Sequence, residues 1–303
     1  MKEIIRITIG LTISCLIAAL VMGSVFAITD KAKKHNEHLK VQKTMLGLLG
    51  YTGSNKAPAD LKLHTIYRYV LEEKGKTTLG YMVPVIKDDD ETYKFLIIDL
   101  NGNFVKGLDL PIEPDKTNEA PNREKALSSA LGGSHNITYG DEIIIATLGK
   151  KRIAYLLPGD FPGFKTFIEV MVALDPSFEI IGLEIMEHEE DPGLGGEIEK
   201  EYFKNQFVGK TYETLSGLKV VKEPMPEDYV KYLETNEKTE LLSKDQIEEI
   251  MSKYKDHDIY ALTGATISSK AVTSGVRGIC SKFAYRIKIL DDVIKDQAIN
   301  PAF

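Results

Sequence analysis

Two stretches of this 303-residue sequence concentrate side chains suited to holding a ligand. The first is Tyr260-Ala261-Leu262-Thr263-Gly264-Ala265-Thr266-Ile267-Ser268-Ser269, which sets hydroxyl and small residues just ahead of a long periodic apolar run. The unpaired amides of a helix start, with the positive end of its dipole, stabilise an anion such as a phosphate. Gly264 and Ala265 let the backbone approach such a group, and Thr263, Thr266 and Ser268 add hydroxyl donors. Plain N-capping, for which Ser and Thr are favoured in any case, accounts for the same composition.

The second stretch is His188-Glu189-Glu190-Asp191-Pro192-Gly193-Leu194-Gly195-Gly196, at the exit of an apolar run. A metal site would use His188 with the acids, but no second histidine stands at ligand spacing and there is no HExxH signature, so none is expected. Glu189 and Glu190 are candidates for general acid–base work, although charged strand exits are usually just solvated. A turn through Pro192, Gly193, Leu194 and Gly195 against a flat ligand is the third reading. The only cysteines, Cys15 and Cys280, make neither a disulfide framework nor a metal cluster, so any redox chemistry needs a bound group. A net charge of −7 argues against a nucleic-acid partner.

These stretches need elements to position them. No residue from Ile7 to Thr29 is charged, which is longer than the roughly 20 residues a helix needs to cross a membrane. The rival reading is a cleaved signal peptide ending at Val25-Phe26-Ala27. Leu39, Gln42, Met45, Leu46 and Leu49 then recur at helical spacing as far as Gly50-Tyr51-Thr52-Gly53. Gly80–Ile86, Tyr93–Leu100, Glu142–Leu148, Arg152–Leu157, Phe167–Ala173 and Ile180–Met186 read as strands, with turns at Asn101-Gly102 and Asp175-Pro176. The polar stretch Pro111–Asn122 reads as an exposed loop interrupting the sheet. Ser243 and Gln246 have capping-box spacing, and a last helix should start near Thr266 and bury Val272, Val276, Ile279 and Phe283.

The expected fold is therefore α+β: a single N-terminal transmembrane helix, then a mostly antiparallel sheet flanked by helices. Its divisions are an anchor at 1–29, a juxtamembrane amphipathic helix at 30–60, an upstream α+β segment with a loop insertion at 61–150, and a domain at 151–303 that carries both stretches.

The pair H-x-E-D-P-G-L-G, from His188 to Gly195, and T-G-A-T-I-S, from Thr263 to Ser268, resembles the FMN-binding domain of the RnfG and NqrC family. Glu197-Ile198, Phe207-Val208-Gly209-Lys210 and Glu169–Asp175 are also similar to that family, and the resemblance runs from about Arg152 to Phe283. It implies an electron-carrier subunit of a membrane ion-translocating oxidoreductase, without turnover alone and without catalytic side chains. FMN would be linked covalently through its phosphate to the Thr266 hydroxyl. A flavin transferase would install it from FAD, with AMP released. Thr263, Gly264, Ala265 and Ser268 would surround the phosphate, and His188, Glu190, Asp191, Pro192, Gly193, Leu194 and Gly195 would line the flavin. The implied partners are integral-membrane subunits of an Rnf- or NQR-type complex, with the soluble domain outside the cytoplasm. Asp191 stands where the family usually has threonine, and a carboxylate there is expected to disfavour added negative charge on the flavin. Tyr260 stands where the family often has an acid. A freestanding anchored flavoprotein reductase and a non-catalytic anchored binding domain are the alternatives.

Overall fold

A computed structural model describes residues 2–53, 55–132, 136–234 and 242–303. The chain forms two compact units, Met1–Ser54 and Asn55–Phe303. In the first, α1 (Lys2–Leu48) runs unbroken from the expected anchor into the juxtamembrane segment and ends two residues before Gly50, short of the expected bound at 60; the φ of Gly50 is +82°. Its Lys2–Asp30 part is long and apolar enough to cross a membrane. Polar residues there turn back on the helix: the hydroxyls of Thr8, Thr12 and Ser24 donate to the carbonyls of Ile4, Thr8 and Leu20 at 2.9, 2.9 and 2.7 Å. That pairing lets such residues sit in hydrocarbon without an unmet donor.

The second unit is built on one antiparallel sheet of eight strands: β1 (Leu61–Glu73), β2 (Lys76–Lys87), β3 (Asp90–Ile98), β4 (Phe104–Leu110), β5 (Asn136–Leu148), β6 (Lys151–Pro162), β7 (Phe167–Leu174) and β8 (Ile180–Glu187). Their order is β4-β3-β2-β1-β5-β6-β7-β8, so two four-strand meanders are joined where β1 pairs with β5. The expected division at 150/151 falls in the hairpin between β5 and β6, and one sheet runs through both sides of it.

Turns formed at both predicted places, between β3 and β4 and between β7 and β8. Two strands of this sheet, β1 and β4, were not expected. In β1 the buried set Ile66, Tyr67, Tyr69 and Leu71 faces both sides of the sheet, which removes the simple alternation of a half-buried strand. β4 lies on the sheet edge and buries only Leu110 fully, so its apolar signal is weak. The stretch Pro111–Asn122 is also corrected. It does not interrupt the sheet but leaves the edge strand, forms a 3₁₀ turn at Pro114–Lys116, and enters α2 (Ala120–Leu131).

α2 covers one face of the sheet, with Leu127 against Tyr67, Tyr69, Leu71 and Phe95. Arg123 locks it there: its guanidinium lies 4.1 Å from the Tyr67 ring centre and donates to the Tyr69 hydroxyl and the Thr117 carbonyl. The other face carries the main core, where the last helix, α7 (Thr266–Asp296), buries Val272, Val276, Cys280 and Phe283 against both meanders. Expected Ile279 is only partly buried, because Cys280 takes the inward position. Between β8 and α7 lie α3 (Glu201–Lys204), α4 (Tyr212–Gly217), α5 (Glu227–Glu234) and α6 (Lys244–Tyr254), the last with both bonds of its Ser243/Gln246 capping box, and the short parallel pair β9 (Val220–Val221) and β10 (Ile259–Tyr260).

Burial under α2 pushes the Tyr93 phenol up from 10.0 to about 12. The folded chain therefore keeps a proton that the unfolded chain sheds above pH 10, and that share of stability is complete below pH 10 and lost as pH climbs to about 12. Denaturation midpoints followed over this window should fall less steeply for Tyr93→Phe than for the parent.

Candidate functional site

The chain reaches the first stretch through β10, whose pairing with β9 continues into a bond from the Ala261 amide to the Val221 carbonyl at 2.8 Å. Gln206 brackets the end of β10 from the side: its carbonyl accepts from the Tyr260 amide at 2.8 Å and its amide donates to the Tyr260 carbonyl at 3.3 Å. The backbone then turns through Gly264 at φ +77°, and α7 begins at Thr266. The Ser269 hydroxyl ties this loop to the first turn, accepting from the Leu262 amide at 3.0 Å and donating to the Ala265 carbonyl at 2.9 Å.

No side chain caps α7, so its leading amides stay available to an anion. This decides against the plain capping reading of Thr263 and Ser268. Among the described residues, the half-buried Thr266 hydroxyl has no hydrogen-bond partner within the chain.

The second stretch folds against the first. His188 accepts from the Glu190 amide at Nδ1 (3.0 Å) and faces Glu199 at Nε2 (3.0 Å). With Nδ1 accepting, the ring proton sits on Nε2 and points to the carboxylate, so both nitrogens serve the loop. No group of residues suited to a metal ion occurs among the described residues.

Glu190 is 5 % exposed. One of its carboxylate oxygens accepts from the Phe164 and Lys165 amides at 2.7 and 3.3 Å, and the other accepts from the Ser268 hydroxyl. Three segments thus converge on one carboxylate: the β6–β7 hairpin, the β8 exit and the start of α7. The approach is so close that a Cβ on either Gly163 or Gly195 would lie 2.5 Å from a Glu190 oxygen. Leu194 completes the junction, lying 3.0 Å from where a Gly264 side chain would begin.

Asp191 turns the loop with its carbonyl, which accepts from the Leu194 and Gly196 amides at 3.1 and 2.9 Å. Its carboxylate pairs with the Lys165 ammonium and holds that lysine above its usual range. The carboxylate expected to disfavour added negative charge on a flavin is thus in contact with a cation.

Beside this junction opens a cavity of about 710 Å³, within the range of roughly 300–1,000 Å³ typical of small-molecule sites. Thr263, Gly264, Thr266 and Gly193 line it, with Tyr260, Tyr202, Met225 and Lys222 on other walls. Among the remaining expected residues, Glu190, Gly195, Ala265 and Ser268 are buried, and Pro192 and Leu194 are exposed in the loop. Glu190 and Ser268 are thus spent on each other rather than on the cavity. Gln206 and Lys165 were not singled out from the sequence, and neither belongs to a local pattern that marks it.

Lys210 supports the same region from behind. It is 3 % exposed and donates to the carbonyls of Lys255 and His257, at 2.8 and 3.0 Å, just past the end of α6. His257 in turn stacks on Tyr260, with ring centres 4.6 Å apart and planes 5° from parallel.

Residues 163–280, which include both stretches, match the family of FMN-binding domains. That match likens the stretch to domains that hold a flavin nucleotide. Over 132 residues the chain is 35% identical to the G subunit of the proton-translocating ferredoxin:NAD(+) oxidoreductase complex of Clostridium ljungdahlii, covering 44% of this chain and 54% of that one. It is 32% identical over 82 residues to the G subunit of the ion-translocating oxidoreductase complex of Pasteurella multocida, covering 27% of this chain and 36% of the other. The chain thus spans about half and about a third of the lengths of these curated relatives. Among solved structures it is similar to NqrC of Shewanella oneidensis, with 18% identity, 48% of this chain and 56% of that chain covered, and a TM-score of 0.34. The domain matches support the RnfG and NqrC family that the two motifs resemble.

The residues present fit FMN. An uncapped helix start suits its phosphate, and a cavity walled by Tyr260, Tyr202 and Met225 suits a flat ring system.

Two outcomes test this construction. Glu190→Ala leaves the Ser268 hydroxyl and the Phe164 and Lys165 amides without their acceptor, at a cost of about 1–3 kcal/mol for each group that water does not reach. The melting temperature should drop, and hydrogen exchange at those two amides should accelerate. The second concerns Lys210, whose ammonium is pushed down by burial from 10.5 to about 8. Between those values the unfolded chain holds a proton that the folded chain has released, so stability should rise with pH across that window. Lys210→Met should flatten that rise in denaturation midpoints.

Proposed function

We propose that this chain is the electron-carrier subunit of a membrane ion-translocating oxidoreductase, anchored by α1 and relaying electrons through FMN joined as a phosphoester to Thr266. The single observation that supports the attachment point is the Thr266 hydroxyl, unpartnered at an uncapped helix start and lining the cavity of about 710 Å³. When bound, FMN supplies the electron transfer that no side chain here provides.

The chain's own residues position and shield. The Thr266 hydroxyl oxygen bonds to the FMN-side phosphorus of FAD, the pyrophosphate bond breaks, and AMP leaves with the hydroxyl proton. A flavin transferase carries out that exchange. The leading amides of α7 offset the phosphodiester charge, and Gly264 leaves space for it. Glu190 holds Ser268, and through it the first turn, in place. Lys165 offsets the charge of Asp191, with which it is paired.

We read the partners as integral-membrane subunits of an Rnf- or NQR-type complex, a reading supported by relatives named as G subunits of ion-translocating oxidoreductase complexes, and the soluble unit as facing away from the cytoplasm. In such a position a covalent bond prevents loss of a nucleotide that has no surrounding pool to replace it.

Intact mass of the denatured full chain from its source membrane reports the linkage directly. The expected value is the chain plus FMN less one water, with that increment absent from Thr266→Val. A bare Thr266 in material made alongside its flavin transferase overturns the proposal.

A further inference from the structure

The β6–β7 hairpin presents something that the flavin site does not use. Its tip, Gly163 to Thr166, is closed by a bond from the Gly163 amide to the Thr166 carbonyl at 2.6 Å and pinned by Glu190 through two amides. On this rigid tip and the strand leaving it, Phe164 is 57 % and Phe167 58 % exposed. With the backbone beneath them already ordered, such large apolar side chains lose little backbone freedom on contact, which favours an interface anchor.

Beside them runs an unbalanced row of charge. Asp160 on β6 faces Glu169 on β7, and Glu169 faces Glu187 on β8. Residues directly opposite on neighbouring strands point to the same face, with Cβ atoms about 5 Å apart, and like charges so placed destabilise the sheet. All three are exposed, and none has an ion-pair partner among the described residues. Phe167 lies two residues before Glu169 on the same face of β7, opposite that covered by α7, because Ile168 and Val170 point into the main core.

We propose that the outward ends of β6, β7 and β8 dock a protein whose contacting surface is apolar where it meets Phe164 and Phe167 and basic where it meets Asp160, Glu169 and Glu187. The carboxylate row selects the occupant. A leaflet with anionic headgroups is repelled by three unpaired acids, whereas lysines or arginines of a protein relieve the repulsion that the row carries in the free state. This face adjoins the flavin site, since the amides of Phe164 and Lys165 and the hydroxyl of Ser268 share the Glu190 carboxylate. The inference rests on the proposed relay for its purpose but not for its geometry.

The test places the photo-crosslinking residue p-benzoylphenylalanine at position 167 of the full chain in its native membrane. A crosslink to protein is expected, with its yield lowered about tenfold when Glu169→Lys and Glu187→Lys are introduced together, the equivalent of about 1.4 kcal/mol in binding. Glu169→Gln with Glu187→Gln should fall between. Melting curves of each variant report that the fold persists, because both sites are exposed. Crosslinks to lipid alone, no crosslink, or a protein crosslink indifferent to the charge reversals overturn the inference. The mass of the same material separates the two readings. A charge-sensitive crosslink on a chain without FMN leaves the docking face standing and removes the relay.

Discussion

One buried carboxylate organises the working end of this protein. Glu190 accepts from a hairpin on one side and from the first turn of α7 on the other, across 26 residues to Phe164 and 78 residues to Ser268. Among the described residues the hairpin and the first turn of α7 share no β-ladder, so the carboxylate adds a polar joint to the apolar packing of α7 on the sheet. Such a joint contributes only modestly while satisfied and becomes costly when broken, because each released donor is then buried without a partner. Gly163 and Gly195 are the counterpart in sequence, since each leaves the space that the carboxylate occupies.

The residues of the two motifs stand differently toward the cavity. Thr263, Gly264 and Thr266 face the cavity, with Gly193 their only companion there from the first motif. Glu190, Gly195 and Ser268 stand behind as bracing. Further back, Gln206 grips both backbone groups of Tyr260, and Lys210 holds the carbonyls beyond α6. The helix start can remain uncapped because its position is secured from these other directions rather than by its own cap.

The upstream strands belong to the same construction. α7 buries its apolar stripe in a core that includes Ile66, Val83, Leu96 and Ile98, from β1 to β3, together with the strands that follow. The matched stretch, residues 163–280, would leave part of that helix uncovered by itself. Closing the sheet by pairing β1 with β5 supplies the missing surface and turns two meanders into one platform.

Local patterns in the chain were sufficient for features whose causes are themselves local. The Ser243/Gln246 cap, the periodic stripe of α7, the turns at Asn101-Gly102 and Asp175-Pro176, and most strands of the sheet follow from spacing and backbone preference over a few residues. β1 escaped because it is covered on both faces, and β4 because it buries too little. Tertiary structure alone decided that Glu190 turns to the core and not to the cavity, that Lys165 meets Asp191, and that the Ser268 hydroxyl meets Glu190. Those outcomes depend on which distant segment supplies a hydrogen-bond donor or an opposite charge, and spacing along a chain carries no record of a partner that folding brings from elsewhere.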